Sequence, residues 1–61
     1  MTYPELHELI IKNGWSFLKA DGNHFFYIKR GIESFPIPYH ESQKVGARMA
    51  MKIIQDMKLT Q

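Results

Sequence analysis

Three histidines, His7, His24 and His40, are the side chains of this 61-residue chain best matched to proton transfer near neutral pH. They fall in three different predicted elements, with no i, i+4 pair and no thiol or carboxylate pattern beside them. That spacing does not make a metal site, and neither a metal nor another cofactor is expected. The chain lacks a nucleophile-elbow serine motif and a glycine-rich phosphate loop, which argues against Ser–His–Asp hydrolysis and nucleotide hydrolysis. Glu5 and Glu8 share a helix face, where capping and solvation account for them. His24 directly follows Gly22-Asn23, a tight-turn pair that would hold its side chain near the surface on a rigid base. Taken alone, a Gly-x-His triplet reads as an ordinary, partly exposed histidine.

Charge placement gives a second constellation. Lys44, Arg48 and Lys52 recur at i, i+4 and i+8, so on a helix they stand about 6 Å apart, a row that can follow successive phosphates of a nucleic acid backbone. Lys29 and Arg30 add charge at the far end of the strand that His24 opens. A solvated helix face is the ordinary alternative for such a row.

These residues need elements to hold them. Thr2 and Glu5 have the spacing of a capping box, with Pro4 in the first turn, so a helix is predicted to begin there. Leu6, Leu9 and Ile10 form its apolar face, and Asn13-Gly14 is its stop. Aromatic-rich runs at Trp15–Lys19, His24–Lys29 and Glu33–Ile37, broken at Asp21-Gly22-Asn23 and Arg30-Gly31, predict three strands joined by tight turns. Pro36 places the third strand at a sheet edge. Alternation puts His24, Phe26 and Ile28 on one face of the second strand and Phe25, Tyr27 and Lys29 on the other. A second helix is predicted over Gln43–Met57, with Val45, Met49, Ala50, Ile53, Ile54 and Met57 on one arc. The expected fold is α+β in two layers, α-β-β-β-α, with a three-stranded antiparallel sheet and both helices on one face.

Composition bounds the rest. One domain spanning residues 1–61 is expected, with a thin core at this length. Hydrophobic residues at 44% and charged residues at 23% suit a folded chain. No cysteine is present, so a disulfide or thiolate metal site cannot supplement the core, and a reducing cytosol fits. The first residues carry no basic leader, and apolar runs such as Leu9-Ile10-Ile11 are far shorter than a membrane span. A soluble, cytoplasmic protein without a membrane partner is expected. A net charge of +2 tolerates an anionic partner without specifying one.

Taken in order, Glu5-Leu6 with Leu9-Ile10, Asn13-Gly14-Trp15, Gly22-Asn23-His24, Tyr27, Pro36-Ile37-Pro38 with His40, and Ile53-Ile54 with Leu59 resemble the HicA toxins. The resemblance runs from about Tyr3 to Leu59. It implies a fold similar to a double-stranded RNA-binding domain, ribosome-independent cleavage of mRNA, and a HicB-type antitoxin as partner. The family's catalytic histidine follows a Gly-Ser or Gly-Asn pair just before an aromatic strand, which carries over to His24. The pair here is Gly-Asn where Gly-Ser is commoner, so an amide replaces a hydroxyl beside the histidine. The segment Glu41–Met51 matches the family only loosely.

The chemistry such a histidine would perform is simple. RNA supplies its own nucleophile, the 2′-hydroxyl, so one imidazole acting as base or acid and cations at the phosphate suffice. Lys29, Lys44, Arg48 and Lys52 are the candidate RNA-binding cations. The alternatives are an RNA-binding module that does not cut, and a degenerate toxin acting only as a protein-interaction partner.

Overall fold

Helix α1, Tyr3–Lys12, begins where a capping box demands it. The Glu5 amide donates to Thr2 Oγ1 at 3.2 Å, and the Thr2 amide donates to Glu5 Oε1 at 2.7 Å. Tyr3, Leu6, His7 and Ile10, spaced by three or four residues, form its buried face. The helix stops at Asn13, and Gly14 follows with φ of +92°, a left-handed conformation that glycine adopts without a Cβ penalty. The Asn13 side chain then ties this end to the C-terminal segment. Its amide nitrogen donates to the Leu9 carbonyl at 2.9 Å and the Thr60 carbonyl at 3.0 Å, while its oxygen accepts from the Thr60 amide at 2.9 Å. These features are seen in a computed structural model that describes residues 1–60.

The sheet has β2, His24–Lys29, at its centre, flanked on one side by β1, Ser16–Asp21. On the other side run two short strands, β3, Ile32–Glu33, and β4, Ile37–Pro38. All pairings are antiparallel. The turn Arg30-Gly31 has positive φ at both residues, and in Gly22-Asn23 only Gly22 does, at +61°. These are the two mirror-image turns whose twist suits a two-residue hairpin.

Both flanking rows depart from the predicted ranges for physical reasons. The Gly22-Asn23 turn consumes only two residues, so β1 extends to Asp21 instead of ending at Lys19. It is bulged between Phe17 and Lys19, which sets Phe17 and Ala20 on one face and Lys19 and Asp21 on the other. The predicted third strand is split. Pro36 has no amide donor, and the register slips by one residue between the β3 and β4 pairings. At the break Ser34 substitutes its side chain for its carbonyl: the Tyr27 amide donates to Ser34 Oγ at 3.0 Å while the Ser34 amide donates to the Tyr27 carbonyl at 2.7 Å.

Helix α2 is shorter than predicted, running Ala47–Asp56 with Gly46 as its N-cap. The segment before it pairs instead with the start of the chain. The Tyr3 amide donates to the Gln43 carbonyl at 3.2 Å and the Val45 amide to the Met1 carbonyl at 2.9 Å, making an isolated antiparallel bridge between Thr2 and Lys44. Backbone groups committed to that bridge are not free for a helical ladder. Of the predicted arc, Ile53 and Met57 are buried, Val45 is buried from outside the helix, and Met49 is 43% exposed.

Residues from both helices meet one side of the sheet. Leu6 and Ile10 of α1, Ile53 of α2, and Met57 and Leu59 beyond it pack with Tyr27 and Ile37 in a single core. The chain is therefore an α+β fold of two layers, with both helices on one face and the face bearing His24 left open. The helical layer does not reach β1, all six of whose residues are exposed, Phe17 at 51% although it points to the helical side. Among the described residues, no helix is long and apolar enough to cross a membrane.

Candidate functional site

His24 is exposed at the first position of β2. It lies between Asp21 of β1 and Pro38 of β4 as direct cross-strand partners. Paired residues in antiparallel strands project to the same face, so the open face carries an Asp21–His24–Pro38 row at this end. The next row contains Lys19 and Phe26, with Lys19 Nζ 5.0 Å from the Phe26 ring centroid and 3.8 Å from Glu33 Oε1. Beyond the Gly22-Asn23 turn lies an open cleft of about 310 Å³ lined by Asn23, Tyr39, His40, Glu41, Ser42 and Gln43. The His40 and Tyr3 rings meet edge to face, with centroids 5.0 Å apart.

The structure does not gather the predicted cations around this histidine. Lys29 occupies the opposite end of β2, five residues or about 16 Å along an extended strand, and points to the helical side. There its Nζ donates to the Asn13 carbonyl at 2.8 Å and stands 5.9 Å from the Trp15 ring centroid, so it helps cap α1. Lys44 lies before α2, in the bridge to Thr2, which breaks the supposed helical row. Arg48 is exposed in the first turn of α2, and Lys52 is exposed with its Nζ 3.2 Å from Asp56 Oδ2. The charged neighbours along the His24 face are Asp21, Lys19 and Glu33. Asp21 was legible only as part of a turn; the two-residue hairpin makes it a strand residue facing His24.

A second histidine is more tightly held. His7 sits on the buried face of α1, 5% exposed, with Phe25, Tyr27 and Tyr39 around its ring. Its Nε2 is 2.8 Å from the Pro38 carbonyl and its Nδ1 is 2.7 Å from the Tyr27 hydroxyl. A carbonyl can only accept, so Nε2 carries the proton and Nδ1 accepts from the hydroxyl. Burial pushes the His7 pKa below its ordinary value, opposed by the hydrogen bond to Pro38. Burial likewise raises the Tyr27 phenol to about 12, with the Tyr39 phenol adding to the effect. Both groups are thus kept neutral, the states that the two hydrogen bonds require. The sequence signal was the position of His7, four residues after Tyr3 and three before Ile10.

These shifts set a pH window for stability. Protons bind unfolded His7 more tightly than folded His7, so its contribution is complete above the ordinary 6.5 and is lost as pH falls below it. Tyr27 holds its proton more tightly when folded, so its contribution is complete below 10.0 and is lost as pH rises toward about 12. The urea midpoint is expected to be level between these limits and to fall on either side. Tyr27→Phe should remove much of the alkaline fall; an unchanged alkaline limb would refute the assignment.

Comparison of the chain with known protein families, with curated proteins and with solved structures finds no match.

Proposed function

We propose that this chain is an RNA-cleaving toxin similar to HicA, in which His24 transfers the proton during metal-independent cleavage of mRNA. The observation that carries the reading is the placement of His24: an exposed imidazole fixed by a two-residue turn and two cross-strand neighbours on an open sheet face. An extended strand can approach such a face without displacing a structural layer. The family-like order of motifs in the sequence supports the same assignment.

In the reaction, the ribose 2′-oxygen attacks the adjacent phosphorus as its proton leaves, and the bond from phosphorus to the 5′-oxygen breaks. The products are a 2′,3′-cyclic phosphate and a 5′-hydroxyl. His24 either takes the proton from the 2′-oxygen or gives one to the departing 5′-oxygen. Arg48, Lys44 and Lys52 are exposed and belong to RNA held farther from the scissile bond; Lys29 retains its structural bond to Asn13 unless RNA displaces it. The open face around His24 is also the proposed docking surface of a HicB-type antitoxin, which would silence the protein by covering it. The cytoplasm, where mRNA and such a partner are found, is the proposed location.

The test uses single-stranded RNA and DNA of one sequence, both in EDTA. RNA should be cut to cyclic-phosphate ends and DNA should stay intact, because DNA lacks the attacking hydroxyl. Intact RNA that is nonetheless bound in a salt-sensitive manner would replace this reading with that of a non-cutting RNA-binding module.

A further inference from the structure

One peptide group beside His24 is held from both sides. Its carbonyl, on Pro38, accepts from His7 Nε2 at 2.8 Å. Its amide, on Tyr39, donates to the Asn23 carbonyl at 2.8 Å. The Asn23 carbonyl carbon is in turn bonded to the His24 nitrogen. A continuous series of donors therefore runs from the Tyr27 hydroxyl to His7 Nδ1, from His7 Nε2 to the Pro38–Tyr39 peptide, and from that peptide to the turn on which His24 stands. Hydrogen bonds made through the two ends of one peptide polarise each other, and breaking one weakens the next.

The surroundings make this series rigid. β4 is only two residues long and follows the break at Pro36, so few ladder bonds hold it to β2. Across the layers it is held by the buried Ile37 side chain and, at Pro38, by the bond from α1. Tyr39 is fixed as well, stacked on Phe25 with centroids 4.7 Å apart and planes at 13°. The titratable groups facing the His7 ring are the Tyr27 and Tyr39 phenols, from β2 and from the residue after β4. Phe25 closes a third side, and no charged side chain contributes to the shift of His7.

We infer that His7 is a positioning residue for His24, holding the Gly22-Asn23 turn, from which His24 follows, in place through the Pro38–Tyr39 peptide. Its consequence for cleavage rests on the reading of His24 given above; the coupling itself does not. A protonated His7 can no longer accept from Tyr27, so the ring must turn or the hydroxyl must reverse. Either way the bond from Nε2 to the Pro38 carbonyl changes, because a charged imidazole is a stronger donor than a neutral one, and the change passes through the peptide to the Asn23 carbonyl.

The coupling is tested first by following amide resonances of the full chain by NMR as pH is lowered, in a variant carrying both His24→Ala and His40→Ala so that His7 is the one imidazole left to titrate. The Tyr39 amide should move with the same midpoint as the His7 ring protons. A Tyr39 resonance that does not follow His7 overturns the inference. The second arm measures RNA cleavage at neutral pH in His7→Phe and His7→Gln. Phenylalanine removes the donor to Pro38 and should lower kcat about 10- to 100-fold, the effect of a small misplacement, with KM little changed. Glutamine restores a donor near Nε2 and should recover most of that loss. A folded His7→Phe chain with the parent kcat overturns the inference; if this variant does not fold, the NMR arm decides. Wild-type protein that cuts no RNA, together with a Tyr39 amide that follows His7, removes the proposed function and leaves the coupling standing.

Discussion

Replacing His24 with alanine is expected to lower RNA cleavage by about 10²- to 10⁴-fold, the range measured when a positioned general acid or base is removed. The fold should scarcely notice, because the side chain is exposed and stands outside the buried cluster. Exposed substitutions of this kind usually change stability by within about 0.5 kcal/mol. The measurement is kcat on a defined RNA beside a urea titration of the same preparation. Parent-like cleavage by His24→Ala would remove the catalytic role outright. Strong loss of cleavage accompanied by unfolding would mean that the residue acts through the hairpin, not through a proton.

The largest stability effect is expected at Leu6. This side chain is wholly buried among Ile10, Ile37 and the residues that α2 contributes. Leu→Ala at such a site costs about 2–5 kcal/mol through lost transfer energy and the cavity left behind. A chain of this length has only roughly 3–9 kcal/mol of stability in total, at 0.05–0.15 kcal/mol per residue. Leu6→Ala should consequently leave a large unfolded fraction at physiological temperature, seen as a loss of helical circular dichroism and a sharply lowered urea midpoint. Leu18→Ala is the control. Leu18 is the extra residue of the β1 bulge and is 40% exposed, so its truncation should cost far less. Equal losses at the two positions would show that the core described here is not what holds the chain together.

Where the sequence was readable, the reason was local. Thr2 and Glu5 cap a helix through bonds that both ends of the motif supply, so their spacing alone predicted the N-terminus of α1. Gly14 had to end that helix because its left-handed backbone favours glycine. The alternation along β2 assigned Phe25 and Tyr27 to one face and His24 to the other, although it could not say which face the helices would choose. Arg48 and Lys52 were correctly placed on a helix. Lys44 was not, because the competing partner of its segment lies at the other end of the chain. No periodicity within 43–57 reveals that the backbone at 43–45 will pair with Met1–Tyr3.

The candidate site divides in the same way. The Gly22-Asn23-His24 order fixed an exposed histidine on a tight turn, since a two-residue hairpin depends on the residues within it. Local chemistry also determined the order of elements and the apolar stripes, and with them the two-layer α+β class. Tertiary structure alone decided the neighbours. It set Asp21 and Pro38 beside His24, turned Lys29 away to cap α1, and enclosed His7 between Tyr27 and the Pro38 carbonyl. Register and layer packing join residues far apart in the chain, and the break at Pro36 shifts one such register by a single residue. Those choices depend on which long-range pairings best satisfy backbone groups and fill the core, a comparison that no short stretch of sequence contains.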